Sequence, residues 1–147
     1  MSVSLYGSGN TVIQVQSYNL TTSVSTTSSS YVTTGLAVSI TPQSTTSKIL
    51  ILVEGAGACS VTNSGAYYTV YRNSTDLGNT NGLSTIYNNA TYSGKFRGTF
   101  GMCYLDSPAT TSSTTYTVYF KTNTVGTIYV NDDTTTSSIT VMEIAYA

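Results

Sequence analysis

The sequence predicts an all-β fold, an antiparallel β-sandwich or jelly roll, on three observations. Apolar residues recur with a period of two, the pleat of an extended strand, and not at helical spacing. Tyrosine, threonine, valine and isoleucine, which fit a pleated surface, are abundant. Breaks rich in glycine, asparagine or serine recur about every ten residues, as expected for strands joined by tight turns.

The elements follow in order. Residues 11–18 alternate β-branched side chains with glutamine, and residues 35–40 repeat the alternation with leucine, valine and isoleucine. Residues 48–54 hold the longest apolar run, Ile49 to Val53. Residues 66–72 alternate Tyr67, Thr69 and Tyr71. Residues 95–105, 115–121, 127–130 and 138–145 complete the clear strands, with weaker candidates near Thr21 and Leu83. Turn chemistry separates them at 63–65, 73–78, 79–82, 88–89, 106–108 and 131–133, where Asn, Asp, Gly, Ser and Pro cluster. Eight or more strands suit a sandwich or jelly roll, and no helix is expected.

A chain of 147 residues suits one domain, here residues 11–147 preceded by an arm of residues 1–10. A chain this long buries about two thirds of the surface its unfolded form exposes, so a core forms without staples. With 39% hydrophobic residues and thirteen tyrosines, enough apolar area is available to offset the entropy of ordering.

Charge is scarce. The chain has no histidine and only 7% charged residues, against about 25% in an ordinary domain, while serine and threonine make up about a third of it. Three lysines, two arginines and six carboxylates are few for acid, base, metal or phosphate work, so no enzyme, cofactor or metal is expected. A net charge of -1 supplies no basic field for DNA or RNA. The apolar run 49–53 is far short of the roughly twenty residues a bilayer helix needs, and residues 1–10 lack the pattern of a signal peptide, so no membrane association is expected. Sequons at Asn19, Asn73 and Asn89 are what chance gives in so threonine-rich a chain. Cys59 and Cys103 read as free thiols rather than a pair.

Several strands are apolar on both faces. In 96–105 one face carries Phe96, Phe100, Met102 and Tyr104 and the other Cys103 and Leu105. Near the C-terminus Ile139 and Val141 face one way, and Met142, Ile144 and Tyr146 the other. A free sandwich shows a polar outer face, so a second apolar face predicts a cover, most simply another copy of the chain.

The rare charges and the tyrosines are weighed singly. Glu54 and Glu143 lie in apolar strands and are expected to pair with Lys48, Arg72, Lys95 or Arg97. Asp132 and Asp133 read as a polar hairpin tip, and Asp106 ahead of Ser107 and Pro108 as a side-chain turn closing its strand. Tyr67, Tyr68, Tyr71, Tyr87 and Tyr92 surround loops rich in asparagine and serine, where flat rings could meet a glycan or a partner; core packing is the alternative.

Three segments, SYVTTGLAVSITPQSTTSKIL (residues 30–50), LDSPATTSSTTYTVYF (105–120) and SSITVMEIA (137–145), with their spacing, resemble a family of virion surface proteins and fibre-end domains of tailed bacteriophages. The resemblance implies a jelly roll that trimerises on the virion exterior, without catalytic residues. It implies a homotrimeric capsid decoration or cement protein, made in the host cytoplasm, that holds the major capsid protein or another virion protein. The alternative it allows is a fibre tip that contacts host glycans. Fibre members usually follow a long shaft, whereas here an arm with Leu5, Tyr6, Gly7 and Gly9 precedes the first strand and is the expected virion anchor. Met102, Tyr104, Tyr116, Val118, Phe120, Ile144 and Tyr146 are the expected subunit contacts.

Overall fold

The structure is a computed structural model that describes residues 11–89, 94–123 and 125–145. The strands are β1 (Thr11–Leu20), β2 (Val24–Thr26), β3 (Val32–Ile40), β4 (Lys48–Cys59), β5 (Gly65–Arg72), β6 (Thr75–Asp76), β7 (Ser84–Tyr87), β8 (Phe96–Asp106), β9 (Thr114–Thr122), β10 (Ile128–Val130) and β11 (Ser137–Ala145). No helix occurs among the described residues. Every clear strand read from the sequence is present. The weak candidate near Thr21 lies further on, at β2, and the one near Leu83 is β7. The short β6 went unpredicted; it folds back on β5 through a turn in which Asn73 takes φ 51°, a left-handed conformation that asparagine tolerates.

All pairings are antiparallel and divide into two sheets. One runs β1-β11-β4, after which β8 lies on the far edge of β4; the other runs β3-β9-β5, with β7 and β6 beyond β5. Taking β1, β3, β4, β5, β7, β8, β9 and β11 as the principal strands in chain order, the sheets read 1-8-3-6 and 2-7-4-5. Apart from β5 to β7, each connection between consecutive principal strands thus steps from one sheet to the other, the interleaved pattern of a jelly roll. The additional strand β10 continues the line of β11 along β4, pairing with its end at Gly57, Ala58 and Cys59, and β2 flanks β10.

The core lies between the sheets. Ile49, Ile51, Val53, Ile139 and Val141 point in from the first, and Leu36, Tyr68, Val70, Tyr116, Val118 and Phe120 from the second. The Tyr68 and Phe100 rings stack across the gap with centroids 4.0 Å apart, 9° from parallel. The glycines of β4 make room for them: a Cβ at Gly57 would strike the Tyr68 hydroxyl, and one at Gly55 the Phe100 ring and the Ser137 hydroxyl. Tyr68 Oη donates to the Tyr129 carbonyl at 3.2 Å, so the polar end of this ring is satisfied.

This packing corrects the expected subunit contacts. Tyr116, Val118 and Phe120 are fully buried inside the chain, Met102 is 6% exposed, and Tyr104 packs partly buried against the same cluster. Their parity is the reason: β9 turns these residues inward and Thr115, Thr117, Tyr119 and Lys121 outward, and Met102 and Tyr104 share the inner face of β8 with Phe100. Of that set Ile144 alone lies on an outer face among the described residues; Tyr146 lies outside them, as do Tyr92 and the arm residues Leu5, Tyr6, Gly7 and Gly9.

Candidate functional site

The outer face of the first sheet is the unusual surface of the molecule. Residues paired across strands share a face, so the register gives its rows directly. One row runs Val15, Met142, Leu50, Leu105; the next runs Ser17, Thr140, Leu52, Cys103; a third runs Asn19, Ser138, Glu54, Gly101. Val12 and Ile144 flank the first row on its open side, beside Lys48. The second apolar face expected for β8 and β11 is therefore real, and it continues over β4 and β1. Val12, Val15 and Leu105 are 48%, 52% and 48% exposed, so nothing among the described residues covers them.

Along β4 and β8 this face is hollowed. Adjoining cavities of about 650 and 480 Å³ lie over Glu54, Gly101 and Ser138 and over Leu52, Cys103 and Thr140. Gly101 forms their floor, because a Cβ there would meet nothing closer than the Val53 carbonyl at 3.8 Å. Glu54 joins no ion pair among the described residues, against the expectation of a cationic partner.

The outer face of the second sheet gathers tyrosines. Tyr71 and Tyr119 are diagonal neighbours on β5 and β9 and stack with centroids 4.1 Å apart, and Tyr31 meets Tyr71 edge-on at 6.3 Å. The Lys121 ammonium lies 4.5 Å from the Tyr31 ring centroid and 5.8 Å from that of Tyr67, and donates to the Thr80 carbonyl at 2.7 Å. Burial and the nearby Asp76 raise the Tyr31 hydroxyl well above the ordinary tyrosine range, so it stays neutral, and among the described residues it has no hydrogen-bond partner. Of the expected loop tyrosines, Tyr67 and Tyr71 come together here, whereas Tyr68, of opposite parity on β5, turns into the core. Tyr87 projects from the same face further along, opposite Gly65, and is half exposed. Tyr31, Tyr119 and Lys121 complete the cluster; the alternation of Thr117, Tyr119 and Lys121 on the polar side of β9 was the available signal for the last two.

Asp106 does not close a local turn. Its carboxylate is buried, takes 2.8 Å and 2.7 Å hydrogen bonds from the Arg72 guanidinium and the Tyr116 hydroxyl, and so ties the end of β8 to β5 and β9 of the other sheet. Pro108 follows, half buried, in the connection to β9. Glu143 is also corrected: fully buried, it accepts the Gln43 backbone N–H at 2.7 Å instead of a cation. Asp132 is more than a hairpin tip. It bridges Lys95 and Arg97, each at 2.9 Å, while Arg97 also reaches Asp133. Beside it, buried Asn131 donates to the Leu20 and Thr22 carbonyls and accepts from Ser137, fixing the β1–β2 connection.

Cys59 is buried, its thiol pushed upward by desolvation, and Cys103 is exposed; both are free. Among the described residues no three His, Cys, Asp or Glu side chains come together as metal ligands would.

A scan against protein-family models and a search of curated proteins found no match. Among solved structures, the chain is similar to the D431N mutant VP2 protein of infectious bursal disease virus in derived T=1 particles, at 13% identity and a TM-score of 0.41. The similarity covers 90% of this chain and 36% of that one, so the chain spans about a third of that protein's length.

Proposed function

We propose that the chain is a structural protein of a virion surface, a homotrimeric decoration or cement protein of a bacteriophage head that binds over capsomer junctions. The observation that carries this reading is the apolar outer face on a jelly roll. A surface that alternates correctly to face water on its second sheet, yet presents Val15, Met142, Leu50 and Leu105 in one row on its first, is built to be covered by protein. The segments that resemble phage surface proteins supply β3, the first three residues of β4, the end of β8, most of β9 and all of β11, and β4, β8 and β11 carry that face.

The mechanism is adhesion by area. An internally pressurised shell is held by many identical contacts, each modest, that gain from one another through multivalency. Residues 1–10, with Leu5, Tyr6, Gly7 and Gly9, would anchor each copy to the major capsid protein or another virion protein. The protein would be made in the host cytoplasm and function on the particle exterior.

A second reading, a receptor-binding fibre tip, draws on the tyrosine face: Tyr67, Tyr71 and Tyr119, backed by Tyr31 and Lys121, present rings suited to host glycans. Copy number separates the two. Quantitative mass spectrometry of purified particles is expected to give copies comparable with the major capsid protein. A few trimers per particle would replace decoration with the fibre reading, and absence from the particle would overturn both.

A further inference from the structure

We propose that copies of this chain join head to tail, the edge of β1 in one copy seating in the hollow along β4 and β8 of the next. The inference rests on the homotrimeric reading above and names the surfaces that make it.

The two ends of the first sheet are unlike. The sheet order ends at β1, a ten-residue strand without a lysine, arginine, acid or proline, the residues that usually blunt an edge against pairing. It is apolar on both sides. Val12 and Val15 lie on the outer face, and Ile13, at the bulge, and Tyr18, on the reverse, are 40% and 45% exposed. The opposite end of the same sheet is concave, with Gly101 as floor and Leu52 and Cys103 as its apolar wall. Its polar groups are the Glu54 carboxylate and the hydroxyls of Ser138, Thr140, Thr99, Thr135 and Thr136. β1 matches them with carboxamide donors, exposed Gln16 and Asn19, and brings no negative charge toward Glu54.

Area selects this arrangement over face-to-face packing. Seven paired rows at about 3.3 Å and four strands at about 4.8 Å give the outer face roughly 440 Å². A stable interface needs about 800 Å² per partner, so the face alone provides about half. Head to tail, each copy makes two contacts, and each also takes in the side of β1 that carries Tyr18, which lies outside that face. Because the two patches differ, the contact is heterologous, and the homotrimeric reading requires that it close as a ring.

The test uses two variants of the full chain. Val15→Asp with Tyr18→Asp spoils the edge, and Gly101→Arg fills the hollow; all three positions are exposed, and circular dichroism melting checks that each variant folds. By light scattering the natural chain is expected to be a trimer and each variant a monomer, with self-association weakened at least about a hundredfold. The two variants mixed in equal amounts are expected to form a heterodimer, since one retains the hollow and the other the edge.

A mixture that stays monomeric overturns the inference. Variants that remain trimeric overturn it while leaving the homotrimer intact, and a monomeric natural chain removes both. The outward residues of β4 run Lys48, Leu50, Leu52, Glu54, a sequence that would also let two faces pack about a twofold axis with Lys48 against Glu54. A dimer broken by Glu54→Lys and restored by adding Lys48→Glu would therefore overturn the head-to-tail contact too.

Discussion

Tyr116 donates its hydroxyl to Asp106 at 2.7 Å, a buried bond between strands of opposite sheets. Arg72, also from the second sheet, holds the other oxygen of the same carboxylate, so one acid at the end of β8 clasps β5 and β9. Removing the tyrosine hydroxyl leaves one buried oxygen unsatisfied. Tyr116→Phe is expected to cost about 1–3 kcal/mol in urea denaturation. Asp106→Ala, which strands both donors, is expected to cost at least as much, about 3 kcal/mol. A double variant much less destabilised than the sum of the two would confirm the coupling, and strict additivity would deny it.

The same bond gives a pH dependence. Tyr116 is raised above its ordinary value near 10 chiefly by burial, then by its hydrogen bond and proximity to Asp106, and Tyr68 is raised by burial and its neighbour Cys59. A tyrosine whose proton is held more tightly when folded binds more protons in the native than in the unfolded state at alkaline pH. Its contribution is fully present below pH 10 and is lost as pH rises beyond that. Melting temperature is expected to be flat from neutral pH to about 9 and to fall steeply above 10, less steeply in Tyr116→Phe. An unchanged slope in that variant would show that Tyr116 does not set it.

The strands were legible because period-two alternation and Asn or Gly turns are local signals, and β8 and β11 showed both faces apolar in the sequence itself. Which face points inward was not local. Met102 and Tyr104 look as suited to a subunit contact as Leu105 does, and only the stacking of Phe100 on Tyr68 assigns that side of β8 to the core. The sequence of β9 did hold the answer: Thr115, Thr117 and Lys121 on one side against Tyr116, Val118 and Phe120 on the other is an ordinary half-buried strand. Asp106 beside Ser107 and Pro108 imitates a turn, while its true partners lie 34 and 10 residues away.

The glycines of β4 lead to a further expectation. Gly57→Ala drives a methyl group into the Tyr68 hydroxyl, with Ile86 close behind, and is expected to cost about 1–3 kcal/mol through overpacking. In a Tyr68→Phe background the hydroxyl is gone, so the same substitution is expected to cost clearly less. Gly98→Ala, where the nearest atom would be Ile86 Cγ2 at an ordinary 3.5 Å, serves as the control and is expected to stay within about 1 kcal/mol. Equal penalties for Gly57→Ala in both backgrounds would remove the Tyr68 contact as the cause.

Glu143 presents the opposite problem, a carboxylate with too few partners. It is fully buried on the inner face of β11, between Gln14 of β1 and Ile49 of β4. One oxygen accepts from Gln43, while the second oxygen and the Gln14 side-chain oxygen have no hydrogen-bond partner. Two acceptors buried side by side repel and lose their hydration without return. An amide at 143 keeps the acceptor for Gln43 and adds an N–H that can serve Gln14. Glu143→Gln is therefore expected to be neutral or stabilising by up to about 1 kcal/mol in urea denaturation. Glu143→Leu, which orphans the Gln43 N–H, is expected to destabilise by about 1–3 kcal/mol. If glutamine proved as damaging as leucine, the negative charge itself would be what this corner of the sandwich requires, and a cation would have to be sought beside it.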